Sequence, residues 1–369
     1  MIDASLRKEI AEKSVLSCGV NQPWKQLLAK KKISLGFMGG SVTQGYANYQ
    51  YYAKAYPQMV VDALTAEGHE VDCHICATAG MGTLQANALV EREIIVHTPD
   101  IVFLEYAINE TTLKYSVVSF ESLVRRFVEL PNPPIVAFLM LRSANDYSCE
   151  SYMQPIAEHY GLPSISLRTG INQPLAEAKL EWNDYADSES HPTEDGHRLL
   201  ADCILELLDK AKSEPFLPPL QKTLPAPWLD VPYRNMRFFE AGEMDGITTD
   251  FVVEPKEYSY FHTLWIGDAA KGQTMTLDIT CCALVLYYES HRIDSHGSAR
   301  ILLDGEPISH PLLMQSVMHC NSIYGWGNAM PIEIFVHDTP QTHRVTLTPL
   351  ENKTFLYGFG VCGLESPKK

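Results

Sequence analysis

Short apolar runs alternate with amphipathic stretches between about Lys31 and Lys212. The apolar runs predict buried strands at Ile33–Met38, Val71–Cys76, Ile101–Tyr106, Ile135–Met140 and Ser164–Leu167. The stretches between them predict helices at Ala53–Glu67, Gln85–Val96, Ser119–Leu130, Tyr152–Tyr160 and Thr193–Lys212. Continuous apolar strands that alternate with helices are typical of a parallel sheet covered on both faces. In such sheets the ligand site lies beyond the carboxyl ends of the strands, so the loops after the strands are the first place to search for chemistry.

The pattern changes abruptly after Lys212. Six prolines between 215 and 232 rule out a propagating helix or a central strand, so residues 213–233 are predicted to be an extended linker. Beyond it the helical period disappears, and the strand-like runs are Phe251–Val253, Tyr260–Ile266, Met275–Ile279, Ala283–Tyr288, Ala299–Leu303, Ile332–Val336, Arg344–Leu347 and Phe355–Val361. Asp304-Gly305 is the clearest hairpin signal among them. We therefore expect an α/β domain at 1–212 with a helical lead-in at 1–30, and a jelly-roll-like antiparallel β-sandwich at 234–369.

Charge and composition narrow the function. The formal net charge is −16, from 29 basic and 45 acidic residues, which disfavours nucleic acid and anionic membrane surfaces as partners and favours neutral substrates. No stretch approaches the roughly 18 apolar residues of a membrane helix, and the charged N-terminus lacks a secretory signal. We therefore expect a cytoplasmic protein with nine reduced cysteines. Cys73 and Cys76 form a C-x-x-C, but they lie in a predicted strand, where buried thiols are expected rather than a redox pair.

The loop after the first strand reads Gly39-Gly40-Ser41-Val42-Thr43-Gln44-Gly45. Glycines beside a serine allow a sharp turn that exposes the hydroxyl, although Gly-Ser pairs also fill ordinary turns. The spacing is not that of a phosphate-binding loop. A serine nucleophile needs a base, and His191, which precedes Pro192 at the start of the last helix, is the candidate. The alternative for His191 is a solvated histidine near a helix cap.

An acyl-transfer intermediate also needs hydrogen-bond donors for its oxyanion. The loop after the second strand offers Gly80, and the loop after the third offers Asn109. Either residue could instead serve local structure, Gly80 in a tight turn and Asn109 as a helix cap. Their succession at neighbouring strand ends favours a shared site with Ser41.

Taken together, these four blocks resemble the SGNH (GDSL-like) serine hydrolases over residues 21 to about 210, and the G-G-S-V-T-Q-G form is similar to the branch rich in carbohydrate and acyl esterases. The resemblance implies a flavodoxin-like three-layer α/β/α fold, hydrolysis of acyl esters, and no metal or cofactor. It implies that Ser41 is nucleophile and oxyanion donor, that Gly80 and Asn109 are further donors, and that His191 is the base. A small acyl group, acetyl on a sugar, is the expected substrate.

Three departures from the family pattern are visible. The third block reads Ala107-Ile108-Asn109-Glu110 rather than G-x-N-D, and Gly82 is an alternative to Gly80. The acid of the family lies three residues before the histidine, where this chain has Ser188. Asp187 lies one position earlier and Asp184 four. Either a one-residue bulge lets Asp187 reach His191, or the site works as a Ser-His dyad.

Other functions remain open at this stage. One is a thioesterase or lipase-like esterase for longer acyl chains, and another is a carbohydrate-binding protein with an impaired hydrolase site, which the serine at position 188 keeps plausible. His291 and His296 lack metal-ligand spacing and are typical of a hairpin end. Tyrosines 46, 49, 51, 52 and 56 could stack on sugars or pack in the core. Exposed edge strands make a homo-oligomer conceivable.

Overall fold

The computed structural model describes residues 2–47, 50, 51, 54–214, 224–256, 260–323 and 325–364, with the side chains of residues 46, 47, 50 and 51 left out. The chain divides into two compact units, Met1–Ala86 with Val90–Asp230, and Asn87–Leu89 with Val231–Lys369. The α-helices are α1 (Ala4–Ser14), α2 (Trp24–Leu28), α3 (Ser41–Gln44), α4 (Tyr56–Ala66), α5 (Thr83–Glu93), α6 (Lys114–Val128), α7 (Glu150–Tyr160), α8 (Leu167–Ala176), α9 (Trp182–Tyr185) and α10 (Glu194–Lys212).

A mostly parallel sheet organises the first unit. The strands of this unit are β1 (Val15–Cys18), β2 (Lys32–Gly39), β3 (Tyr46–Ala47), β4 (Gln50–Tyr51), β5 (Glu70–Ala77), β6 (Ile101–Glu105), β7 (Ile135–Met140) and β8 (Pro163–Ser166). Among the described residues, six strands form one sheet in the order β5-β2-β6-β7-β8-β1, and β3 and β4 form a separate hairpin. When the five parallel strands are numbered by their position in the chain, their order across the sheet is second, first, third, fourth, fifth. This is the flavodoxin-like arrangement. The predicted α/β fold is confirmed.

The direction of the connections reverses between β2 and β6, because the chain leaves β2 for β5 on one side and continues from β6 to β7 on the other. Loops that leave neighbouring strands in opposite directions open a crevice at the carboxyl edge of the sheet. The loop after β2 carries Ser41 and the loop after β6 carries Asn109. The topology therefore brings both candidate residues to the same crevice.

Sequence periodicity missed one strand of this sheet. Residues 1–30 were expected to be a helical lead-in, but β1 lies between α1 and α2 and pairs antiparallel with β8 at the sheet edge. A four-residue strand that is only partly buried gives no apolar run to detect. The fifth predicted strand also ends one residue early, because Leu167 begins α8.

The core of the first unit follows from the apolar runs. Every residue of β6 and of β7 is buried, as is expected for strands covered on both faces. Helix α10 contributes a stripe at helical spacing, with Leu200, Ile204, Leu207 and Leu208 all buried against the same cluster. Thr193 caps this helix by accepting a hydrogen bond from the Gly196 N–H at 3.1 Å.

Strands dominate the second unit, whose described residues also include Asn87–Leu89 of α5 and the 3₁₀ helix Ala269–Lys271. Its strands are β9 (Arg237–Glu240), β10 (Ile247–Thr249), β11 (Val252–Pro255), β12 (Thr263–Asp268), β13 (Met275–His291), β14 (Ser298–Leu303), β15 (Glu306–Pro307), β16 (Val317–His319), β17 (Trp326–Glu351) and β18 (Lys353–Cys362). All of their pairings are antiparallel, so the predicted all-β second domain is confirmed, whereas a jelly roll stays a prediction. Asp304 and Gly305 both have positive φ, 52° and 87°, in the predicted hairpin turn between β14 and β15.

Two pairs of predicted short strands are in fact two long strands. Met275–Ile279 and Ala283–Tyr288 belong to β13, which has 17 residues, and Ile332–Val336 and Arg344–Leu347 belong to β17, which has 26. Their pairing is interrupted by register shifts, one of them between Cys281 and Ala283. Bulges break the alternation of apolar residues without ending the strand, and this made each strand resemble two.

The predicted linker lies partly outside the described residues, which stop at Glu214 and resume at Leu224. Its second half is held on α6: the main-chain N–H groups of Trp228 and Leu229 donate to the buried Glu121 carboxylate at 2.6 and 2.7 Å. All nine cysteines are free thiols, and burial raises the pKa of Cys73 to about 11. In the parts of the chain that the structure describes, no helix is long and apolar enough to cross a membrane.

Candidate active site

Ser41 is presented by a tight strand-to-helix junction. Strand β2 ends at Gly39, and Ser41 is the first residue of the four-residue helix α3, which Gly45 closes with φ of 89°. Gly40 lies directly against the Asn109 amide, since a Cβ at Gly40 would stand 1.9 Å from Asn109 Nδ2. The first loop therefore needs glycine at position 40 so that the two loops can approach each other closely.

His191 comes from a turn between α9 and α10 that many hydrogen bonds hold. The Asp187 N–H donates to the His191 carbonyl at 3.1 Å, and Ala186 and Pro192 form an antiparallel bridge. Trp182 Nε1 donates to the Ser188 carbonyl at 2.7 Å. The Ala144 N–H, from the loop after β7, donates to the Glu189 carbonyl at 2.8 Å. Hydrogen bonds from α9 and from the loop after β7 thus hold the turn on two sides.

The structure brings Ser41 and His191 into contact. Ser41 Oγ lies 2.9 Å from His191 Nε2, although the two residues are 150 positions apart in the chain. For Nε2 to accept the serine proton, the ring proton must be on Nδ1. Nδ1 in turn lies 3.2 Å from Ser188 Oγ, which also accepts the main-chain N–H of His191 at 3.1 Å. A nucleophile, a base and a group that orients the base are therefore aligned.

The acidic candidates take different positions. Asp187 is exposed next to the His191 turn, and its negative charge raises the pKa of His191. Asp184 is turned to α9 instead, where its carboxylate accepts the Glu181 N–H at 3.1 Å. The hydrogen-bond position at Nδ1, which the resemblance assigned to an acid, is held by Ser188.

Burial has the larger effect on the pKa of His191. The ring is half-buried, and this desolvation lowers its pKa below the usual 6.5 despite the opposing charge of Asp187. The imidazole is therefore neutral at pH 7, the form that a general base requires.

The candidate oxyanion donors lie on the loops after β5 and β6. Asn109 Nδ2 donates to the Met81 carbonyl at 3.1 Å, which joins the loop after β6 to the loop after β5. Gly80 has φ of 73° at the third position of a turn closed by the Met81 N–H and the Thr78 carbonyl, a backbone that favours glycine. Gly82 is the N-cap of α5, and a Cβ there would stand 3.1 Å from Glu110 Oε1. Gly80 and Gly82 thus have separate local roles beside Asn109.

Glu110, the residue that replaces the usual aspartate of the third block, is buried. Its carboxylate accepts the Thr83 N–H at the start of α5 and the Ser116 hydroxyl. Burial raises the pKa of Glu110 to about 7. It holds the loop after β6 to the start of α5, and its place in the third block was the only sign of this role in the sequence.

Several residues near the site escaped prediction. Ser188 stood out in the sequence because it replaces the acid of the family, but its contact with His191 Nδ1 was not predicted. Nothing in the pattern indicated that Trp182 would bind the same turn. Tyr56, one of the proposed sugar-stacking tyrosines, is fully buried and packs edge-on against Phe37. Tyr49 and Tyr52 lie outside the described residues, as do the side chains of Tyr46 and Tyr51. His197 is buried on α10, where its Nδ1 accepts the Tyr56 N–H at 3.4 Å.

Among the described residues, no three His, Cys, Asp or Glu side chains are grouped so that they could hold an ion. The His291 and His296 rings lie 5.3 Å apart at the end of β13, and burial lowers the pKa of His291.

The chain is similar along nearly its whole length to solved structures of a two-domain esterase described as active on acetylated mannans. One has a TM-score of 0.83 at 20% identity and covers 96% of this chain and 99% of that one. A second, co-crystallized with mannopentaose, has a TM-score of 0.83 at 21% identity and covers 97% and 99%. No protein-family model and no curated protein sequence matches the chain. This chain shares the two-domain fold of that esterase.

Proposed function

We propose that the chain is a serine esterase that hydrolyses small acyl esters, with O-acetyl groups of carbohydrates as its substrates. The observation that carries the proposal is the 2.9 Å contact between Ser41 Oγ and His191 Nε2 at the carboxyl edge of the sheet. The shared fold with an esterase active on acetylated mannans supports the same class of substrate. The net charge of −16 favours a neutral glycan over an anionic ester.

In the proposed mechanism, His191 Nε2 takes the proton of Ser41 as the hydroxyl oxygen attacks the ester carbonyl. The N–H groups of Ser41 and Gly80 and the Asn109 amide stabilise the resulting oxyanion. His191 then gives its proton to the leaving sugar oxygen as the acyl-enzyme forms. Water attacks the acyl-enzyme with His191 again as base, and this releases acetate and restores Ser41.

We further propose that two residues share the role of the third triad member. Ser188 Oγ accepts the Nδ1 proton and so fixes the orientation of the ring. Asp187 supplies the negative charge that stabilises the imidazolium, as its effect on the pKa of His191 indicates. This division accounts for a serine at the position where the resembling family has an acid.

Substrate profiling tests the proposed function. We expect the wild type to hydrolyse p-nitrophenyl acetate faster than the octanoate and palmitate esters, and to release acetate from acetylated manno-oligosaccharides. Ser41→Ala serves as the blank for both assays. A preference for long chains would favour a lipase-like esterase. Glycan binding without release of acetate, in a protein that hydrolyses none of these esters, would favour an inactive binding protein.

The role of Asp187 predicts a shift in pH dependence. His191 must be neutral to act, so kcat/KM rises with pH through the pKa of His191. Asp187→Asn removes a charge that raises this pKa, and we expect the acid limb to move to lower pH and turnover to fall about tenfold. Ser188→Asp brings a carboxylate to Nδ1, and we expect that limb to move to higher pH.

Asp184→Asn is the matched control, because Asp184 caps α9 from the same segment. It is expected to leave the limb of the pH profile where it is in the wild type. An Asp187→Asn profile that superimposes on the wild type, or that shifts to higher pH, would contradict the proposed charge effect.

A further inference from the structure

A buried carboxyl group lies beneath the turn that carries Ser41. Glu105 is the last residue of β6, and none of its surface is exposed. The Thr43 hydroxyl donates to Glu105 Oε2 at 2.9 Å. The main-chain N–H groups of Gly40 and Thr43 also face this carboxyl group and oppose the rise of its pKa. These donors therefore lie on both sides of Ser41 along the chain, one residue before it and two residues after it.

The contact extends into the core. Thr43 Oγ1 lies 2.8 Å from the hydroxyl of the fully buried Tyr56, so the threonine hydroxyl joins helix α4 to Glu105. Gly39 leaves no space for a side chain here, because a Cβ would stand 2.1 Å from Thr43 Oγ1 and 2.8 Å from the Glu105 carbonyl. The serine turn is thus packed tightly onto the end of β6.

Burial of a carboxyl group is unfavourable, and here it raises the pKa of Glu105 to about 8. An apolar side chain would fill the same space without that cost, but it would leave the Thr43 hydroxyl without this acceptor and would place apolar surface against the main-chain N–H groups of Gly40 and Thr43. These donors belong to one turn, and that turn bears the nucleophile. A role confined to general stability would not require this choice of partners.

We propose that Glu105 is a positioning residue for Ser41. By accepting the Thr43 hydroxyl and facing the main-chain N–H groups of Gly40 and Thr43, it fixes the turn so that Ser41 Oγ stays at His191 and the Ser41 N–H is directed at the oxyanion. The proposal rests on the proposed esterase function and adds a residue that never touches the substrate. The geometry matters because a displacement of about 1 Å at a reacting group can cost on the order of 10² in rate.

Steady-state kinetics on p-nitrophenyl acetate tests this proposal with Glu105→Leu, Thr43→Val and Thr43→Ser. Leucine removes the acceptor, whereas glutamine would keep an acceptor oxygen. We expect Glu105→Leu and Thr43→Val to lower kcat by about 10- to 100-fold while KM stays within about threefold. Thr43→Ser retains the hydroxyl and is expected to keep most of the activity. A boronic acid that mimics the tetrahedral intermediate should bind Glu105→Leu more weakly by a factor similar to the loss in kcat.

Glu121→Leu is the matched control, since Glu121 is also a fully buried carboxyl group that accepts main-chain N–H groups, but it lies on α6. It is expected to keep the wild-type kcat even if it lowers the melting temperature. The double variant Glu105→Leu/Thr43→Val should lose little more than either single variant, because both act through one contact.

Three outcomes would overturn the proposal. Wild-type kcat in both Glu105→Leu and Thr43→Val would remove the positioning role alone, since the esterase itself would still be active. An equal loss of kcat in Glu121→Leu, or a loss of kcat in Thr43→Ser as large as in Thr43→Val, would assign the effect to general stability. A wild type without esterase activity would overturn the proposed function together with this inference.

Discussion

Ser41→Ala is expected to reduce hydrolysis of p-nitrophenyl acetate by a factor on the order of 10⁶, which is the scale of loss when one member of a nucleophile–base unit is removed. The reason is the 2.9 Å contact with His191: without Oγ, the imidazole has no hydroxyl to activate, and no acyl-enzyme can form. The measurement is kcat, followed by mass spectrometry of the intact protein after reaction with a fluorophosphonate probe. The wild type should gain one adduct at Ser41, and Ser41→Ala should gain none there.

His191→Ala should be nearly as damaging, and Ser41→Ala/His191→Ala should be no worse than either single variant, because the two side chains act as one unit. Ser122→Ala is a suitable control, since its hydroxyl donates to the Val118 carbonyl within α6 at 2.7 Å. It should retain the wild-type rate. Full activity in Ser41→Ala, or additive losses in the double variant, would refute the proposed nucleophile and base.

Much of this arrangement was predictable because it depends on apolar runs and on strand order. Ile135–Met140 coincides with β7, and Ile33–Met38 lies within β2 with one further residue at each end. A parallel sheet forces the loops after its strands to one edge, so Ser41 and Asn109 could be expected near each other before any distance was known. Ser41 and His191 are 150 positions apart, but the helices of such a sheet begin at the edge where its strands end. His191 shortly precedes the last helix, α10, and could therefore be expected at the same edge.

The residues that escaped prediction depend on local geometry that periodicity does not encode. The choice between Asp187 and Ser188 depends on where one turn points its side chains, and the bridge between Ala186 and Pro192 decides that. The bulges that make β13 and β17 each resemble two strands are also local features that periodicity does not encode. Glu105 did leave a signal, an acidic residue that ends the apolar run Ile101–Leu104. A charge that closes a buried strand is rare unless it has partners.

Burial shifts the pKa values of two groups near the site in opposite directions. The pKa of Glu105 is raised to about 8 and that of His197, which lies behind the site, is lowered to about 4. Both groups are therefore mainly uncharged near neutral pH, and the interior behind Ser41 carries little charge. The contribution of neutral His197 to the free energy of unfolding is lost as pH falls from 6.5 toward 4. The contribution of neutral Glu105 is lost as pH rises from 4.5 toward 8.

The second large effect is expected at the oxyanion donors. Asn109→Ala removes the amide that borders Gly40, and we expect kcat to fall by a factor on the order of 10²–10³ while KM changes little, because the interaction strengthens as charge develops on the carbonyl oxygen. Asn109→Asp keeps the shape but replaces the donor with an acceptor, so it should be at least as slow. The measurement is the split between kcat and KM on p-nitrophenyl acetate.

Gly40→Ala separates the position of Asn109 from its chemistry. The new Cβ would stand 1.9 Å from Asn109 Nδ2, so the amide must move although it is still present. We expect a loss close to that of Asn109→Ala, and no further loss when the two changes are combined, because both remove the same donor from the oxyanion. Gly242→Ala is the control for an added methyl group that displaces nothing, because a Cβ there has nothing within 4 Å, although φ is 90° at Gly242 and −91° at Gly40. Losses that add in the Gly40→Ala/Asn109→Ala variant would mean that Gly40 serves the reaction by a separate route, and wild-type turnover in Asn109→Ala would remove Asn109 from the oxyanion site.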